Sequence, residues 1–153
     1  MKILAIRIKN LASLEGTYEI DFTREPLYSA GIFAITGPTG AGKSTLLDAI
    51  CLALFSKTPR HIIAKEMGVE IQDVVNNKIS QGDVRNILRK GTAEGYSEVD
   101  FQGMDGNNYR AVWSVRRARN KVDGSLQNDT IELINLTSTK RFPEKKNGNF
   151  KGN

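Results

Sequence analysis

Eight residues, Gly37, Pro38, Thr39, Gly40, Ala41, Gly42, Lys43 and Ser44, spell G-x-x-x-x-G-K-S between a short apolar run and a helical pattern. That order confines the segment to a strand, a tight loop and a helix. The glycines let the backbone turn where a Cβ would obstruct it, so that successive N–H groups face one point. A cradle of amides suits an anion. Entry into a helix at Lys43 brings the unpaired N–H groups and the positive dipole end of that helix to the same place. Lys43 then supplies a point charge for the β- and γ-phosphates, Ser44 a hydroxyl for Mg²⁺, and Thr45 a hydroxyl beside the α-phosphate. Positions 37–45 therefore read as the binding loop of a nucleoside triphosphate, with Ser44 as its metal ligand.

The flanks agree with the loop. Ile32, Phe33, Ala34 and Ile35 form an apolar run of the kind that makes a strand buried on both faces. Leu46, Leu47, Ile50, Ala53 and Leu54 recur at helical spacing, which predicts a helix ending near Phe55, with Pro59 breaking the stretch 56–60.

Elsewhere the periods are those of strands. Leu4, Ile6 and Ile8 share one parity within 2–9, and Tyr18, Ile20 and Phe22 share one within 17–22. Residues 94–101 and 108–116 predict a hairpin around the turn-rich tetrad 104–107, with Tyr109, Ala111, Trp113 and Val115 facing inward. A further turn at 120–125 leads to a last strand at 130–136. Residues 61–92 are polar and without sustained period, although 70–77 and 83–88 fit short helical turns. The fold class expected is α/β, a P-loop unit followed by an antiparallel meander.

At 153 residues the chain suits one domain, and 39% hydrophobic content suits a soluble one. No run reaches the roughly 18 apolar residues of a membrane span and no signal peptide is visible, so a cytoplasmic location and no membrane contact are expected. The net charge of +5 is concentrated. Residues 137–153 hold five bases and one acid, leaving 17 basic and 16 acidic groups over 1–136. The tail is too polar to build a core and is expected to lie loosely or disordered, as a segment apart from the body at 1–136.

Other candidates carry a bland and a functional reading. Arg110, Arg116, Arg117, Arg119 and Lys121 could track DNA phosphates, or form a solvated hairpin face; inward alternation of Trp113 removes the aromatic that base stacking needs and favours the second. Asp48, one turn after Ser44, reads as helix-surface polarity, with a place near the Mg²⁺ shell as the alternative. His61, the only histidine, reads as a surface loop residue, and Cys51, the only cysteine, as core packing.

Three stretches together resemble a known family: residues 1–11 (MKILAIRIKNL), 20–23 (IDFT) and 33–50 (FAITGPTGAGKSTLLDAI). They are similar to the N-terminus of the SbcC family, within the ABC-type group that includes the SMC and RecF proteins. The stretch 116–120 before the Asp123-Gly124 turn is similar too. The resemblance covers residues 1 to about 136, and the tail beyond Leu136 is not included. It implies an ATPase head of the ABC type, split into N- and C-terminal lobes by a long coiled coil, two heads enclosing two ATP molecules in a homodimer. It implies ATP and Mg²⁺ as cofactors, an SbcD-like nuclease as partner, DNA ends as substrate, and a place near the nucleotide for the loop at 10–14.

The departures are specific. No apolar run ends in the Asp-Glu pair that positions water in this class, no Ser-Gly-Gly signature is present, no heptads mark a coil, and Gln81 comes too early for the glutamine loop. No catalytic residue is identified. The chain therefore reads as an N-terminal lobe alone, from a fragment or a truncated gene product, that binds ATP and needs its second lobe to hydrolyse. A catalytically inactive nucleotide-binding fragment and a small P-loop phosphotransferase are the alternatives.

Overall fold

The alternation of Ile6 and Ile8 becomes β1 (Lys2–Leu11), and the next alternating run becomes β2 (Leu14–Asp21), joined to it by a tight reversal and paired antiparallel. The computed structural model describes residues 1–74 and 77–142. The phosphate loop leads into α1 (Lys43–Phe55), which ends where Ser56 takes a left-handed conformation and its N–H donates to the Leu52 carbonyl. Pro59 does not simply break the chain there. It opens α2 (Pro59–Glu66), because a proline at the first helical position gives up an N–H that has no helical partner anyway. Thr58 caps it, accepting from the His61 N–H at 3.2 Å.

In place of the expected helical turn at 70–77, β3 (Glu70–Gln72) pairs antiparallel with β4 (Lys78–Ser80); residues 75 and 76 lie outside the described residues. The other expected turn is present as a 3₁₀ turn at Val84–Ile87, capped by Asp83. The hairpin of β5 (Glu94–Gln102) and β6 (Asn108–Arg116) matches the sequence pattern, followed by β7 (Thr130–Asn135) and β8 (Arg141–Phe142). One six-stranded sheet results, in the order β2-β1-β5-β6-β7-β8, with every neighbour antiparallel. The tail expected to lie loosely from residue 137 thus first rejoins the sheet at β8, since Leu133 and Ile134 offer Arg141 and Phe142 an open edge. Residues 143–153 lie outside the described residues.

α1 lies across one face of β1, β5 and β6. Ile6, Ile8, Trp113 and Val115 from the sheet and Leu46, Ala49 and Leu52 from the helix are buried in one cluster. Trp113 is fully buried and its Nε1–H donates to Asp129 Oδ2 at 2.7 Å, which satisfies the one polar atom it carries inward. The buried Ser97 hydroxyl donates to the Ala49 carbonyl at 2.7 Å, stitching helix to sheet. The opposite sheet face is ionic. Asp100 sits between Arg110 (2.7 Å) and Arg7 (2.8 Å). Its burial raises the carboxyl pKa, but hydrogen bonds from the two guanidiniums outweigh that and hold it below the usual carboxylate range.

The strand expected at 32–35 is corrected. These residues form no ladder, Ile32 is 95% exposed and Ile35 51%, and Phe33 stacks on Phe22 at 5.3 Å. A strand buried on both faces needs a lateral neighbour for its N–H and C=O groups, and none of the described strands pairs with this run.

Candidate phosphate-binding site

The loop at 37–42 turns on glycines in the region that side chains disfavour: Gly40 at φ 86° and Gly42 at φ 93°. Ala41 N–H donates back to the Pro38 carbonyl at 3.2 Å, closing the crest of the loop. Gly42 is also hemmed in, since a Cβ built there would stand 2.6 Å from Leu14 Cδ2. As N-cap of α1 it brings no side chain to the helix end. The first helical bond runs from the Leu46 N–H to the Gly42 carbonyl, which leaves the N–H groups of Lys43, Ser44 and Thr45 outside the helical ladder. Those three donors and the loop amides are what an anion meets.

Lys43 Nζ donates to the carbonyls of Gly37 (2.7 Å) and Pro38 (2.8 Å). An ammonium has three N–H bonds, so the loop positions the charge and one donor remains for a phosphate oxygen. Ser44 is exposed and Thr45 is buried beneath it. The described residues contain no cluster of three His, Cys, Asp or Glu side chains suited to a metal. A Mg²⁺ at Ser44 would accordingly take most of its oxygens from phosphates and water, which is its habit. On this donor set the predicted residues Gly37, Pro38, Thr39, Gly40, Ala41, Gly42, Lys43, Ser44 and Thr45 fit a magnesium-bound triphosphate.

The structure adds one wall that the sequence did not disclose, from Arg60. A cavity of about 460 Å³ is lined by Thr39, Gly40 and 42–45 together with Ala12, Ser13 and Arg60. Arg60 comes from the first turn of α2, in the stretch read only as a helix breaker, so nothing in its local sequence pointed to the site. Its Nη2 stands 2.7 Å from Asp48 Oδ2. That approach is a charge contact without an aligned hydrogen bond, because Asp48 Oδ2 has no hydrogen-bond partner despite being buried. Asp48 is therefore corrected from a surface residue to a buried counter-ion of Arg60, because the first turn of α2 brings that guanidinium onto its carboxylate. Ala12 and Ser13 belong to the loop that the family resemblance placed near the nucleotide. Gln81 is exposed at the end of β4 and does not line this cavity.

The remaining candidates separate. His61 is corrected from a surface loop to a buried position on α2, its Nδ1 2.7 Å from Thr58 Oγ1. Burial pushes its imidazole below the ordinary value of 6.5; Asp48 and Asp83 oppose the shift and Arg60 adds to it. The sign follows. Unfolded His61 takes up a proton that the folded chain resists, so stability is level above about pH 6.5 and declines as pH falls below it. Urea unfolding at about pH 7 and about pH 5.5 should show that loss in the wild type and a smaller one in His61→Gln.

The basic cluster is corrected as well. Arg110 is taken up by Asp100, and Arg117 is buried with its Nη2 2.6 Å from Asp73 Oδ1. Only Arg116, Arg119 and Lys121 of the five are exposed, so they do not line up as one solvated face or one track. Cys51 is half-buried on α1. Among the described residues no helix is long and apolar enough to cross a membrane.

A family described as an AAA domain matches residues 5–151. The SbcC subunit of the SbcCD nuclease of Pseudomonas aeruginosa is 56% identical over 151 residues, which is 99% of this chain and 12% of that protein. The same-named protein of Rhodobacter capsulatus is 52% identical over 127 residues, 83% of this chain and 10% of that one. The DNA double-strand break repair Rad50 ATPase of Methanopyrus kandleri is 35% identical over 105 residues, 69% of this chain and 9% of it. The chain thus spans about a tenth of the length of these relatives. Both the family match and the first relative run past Leu136, so the tail resembles the family after all; its polar, loop-rich composition had concealed that. With the cradle built as it is and 147 consecutive positions matched, the chain belongs to the AAA-domain family.

Proposed function

We propose that this chain is the N-terminal lobe of an SbcC-like ATPase head of the ABC type, which binds Mg·ATP at residues 37–45 and hydrolyses it only once a C-terminal lobe is joined. The machine it serves is a DNA double-strand break and end-processing complex with an SbcD-like nuclease, in which two heads enclose ATP as a homodimer. One observation carries the reading. The glycine-rich loop is preceded directly by an apolar run, Ile32 to Ile35, whose backbone pairs with no strand among the described residues and whose large side chains are about half or more exposed. Leu47 and Phe55 on the outer side of α1 are also more than 60% exposed. Lateral pairing and cover for these residues must come from another segment, and a second lobe supplying parallel strands meets that need.

The division of labour follows from the side chains. The amides of the loop and of the α1 first turn bind and orient the phosphates, and Lys43 compensates their charge. Ser44 would hold Mg²⁺, which when bound neutralises phosphate oxygens. No carboxylate among the described residues is free to orient water at this cavity, since Asp48 is engaged by Arg60. The full chain alone is therefore expected to show essentially no steady-state ATP hydrolysis, and to dimerise in an ATP-dependent way, with turnover, when a separately expressed C-terminal lobe is added. Robust hydrolysis by the 153-residue chain, lost in Lys43→Ala, would contradict the two-lobe reading.

A further inference from the structure

The reversal between β1 and β2 includes one residue that does not favour it. Asn10 and Ala12 both adopt left-handed conformations, at φ 51° and 46°; asparagine tolerates that region, whereas alanine does not. Such a conformation persists where the surroundings over-determine it. The surroundings here are the segment 87–89, seventy-five residues away in sequence. Ala12 N–H donates to the Ile87 carbonyl at 2.7 Å, and Arg89 N–H donates to the Asn10 carbonyl at 2.9 Å. The Arg89 side chain then closes over the turn: its Nη1 donates to the carbonyls of Ala12 (3.1 Å) and Ser13 (3.2 Å), and its Nη2 to Glu15 Oε2 (3.0 Å). One planar guanidinium holds two successive carbonyls and a carboxylate, a geometry an ammonium does not reproduce.

What Arg89 holds is a wall of the cavity. Ala12 and Ser13 line it, and Ser13 and Leu14 press on Gly42 at the head of α1. The cradle amides, Lys43 and Arg60 answer charge, whereas Ala12 and Ser13 are the lining residues that carry neither charge nor a place in the phosphate loop. They are the surface left for the uncharged nucleoside. We infer that Arg89 is a positioning residue of the nucleotide site: it fixes the Ala12–Ser13 turn against the phosphate loop so that the nucleoside, and not the phosphate chain, is bound by that wall. This rests on the reading of residues 37–45 as a triphosphate site.

The test is titration calorimetry of the full chain with Mg·ATP and, separately, with Mg·tripolyphosphate, which has the phosphates and no nucleoside. In Arg89→Gln the affinity for ATP is expected to fall about tenfold, the size of a lost charge-assisted hydrogen-bond set, with the tripolyphosphate affinity unchanged. Equal ATP affinity in wild type and variant, or a parallel fall for both ligands, overturns the role of Arg89 and leaves the phosphate site standing. A wild type that binds neither ligand overturns the phosphate site and the inference with it. Folding of the variant is checked by emission of the buried Trp113. If Arg89→Gln does not fold, Arg89→Lys carries the test: a smaller loss confined to ATP supports the role, and no loss or an equal loss on both ligands refutes it.

Discussion

Lys43→Ala is expected to lower the affinity of the chain for Mg·ATP by about 100-fold, at the upper end of the range for losing one hydrogen bond between charged groups. The amides of the loop and of the first turn of α1 are neutral, and of the two cations at the cavity Arg60 is already committed to Asp48. Lys43 is the charge that the loop itself holds in place, through the carbonyls of Gly37 and Pro38. Without it the terminal phosphates face dipoles only, and their charge is left largely uncompensated. Stability should barely change, by about 0.5 kcal/mol or less, because the side chain is not in the core and the two carbonyls can turn to water. The combination separates a binding role from a structural one. Calorimetric affinities that match between wild type and variant would refute the site, and a large drop in unfolding free energy would show that Lys43 supports the fold instead.

Trp113→Ala is expected to cost about 3–5 kcal/mol of stability, the range for deleting a large aromatic from a core that relaxes incompletely. Trp113 has no exposed surface, stands in the middle of the sheet and shares its cluster with Leu46, Ala49 and Leu52 of α1. Its loss also strands Asp129, which accepts the indole N–H. Against a total of roughly 5–15 kcal/mol for a domain this size, that places the variant near the edge of folding at ambient temperature. The consequence should reach the phosphate site, since the helix that begins at Lys43 is seated on this cluster. Urea unfolding measures the first effect and ATP titration of the folded fraction the second. A change below about 1 kcal/mol would mean that Trp113 is not the packing centre assigned to it.

The parts that could be read from the residues are those governed by neighbours in the chain. Alternation in β1 and β6 is a property of every second residue, and it placed Ile6, Ile8, Ala111, Trp113 and Val115 inward correctly, while Leu4 and Tyr109 are only half-buried. The loop at 37–42 is likewise local: its glycine turns and the helix that follows act within a few positions, so the turn and the start of α1 at Lys43 were legible. The helix α1 was legible in extent, although Leu47, counted on its apolar face, points outward. Composition misled where it was taken as a proxy for position. Polarity suggested a loose tail, yet Arg141 and Phe142 pair with β7, and a lone histidine among polar neighbours suggested a surface, yet α2 buries His61.

By itself, then, the sequence determined that a glycine-rich loop leads into a helix at Lys43 and that an antiparallel meander follows. Tertiary structure alone decided what surrounds the cradle. Arg60 lines a cavity with Ser44 and Thr45, Arg89 meets Ala12 and Ser13 across more than seventy residues, and Asp48 is buried against Arg60 rather than left in water. It also decided that Ile32 to Ile35, apolar enough for a buried strand, lies unpaired. The reason is physical. Turn chemistry and periodicity act over a few residues along the chain, whereas ion pairing, burial and strand pairing depend on which distant segments arrive at the same point in space.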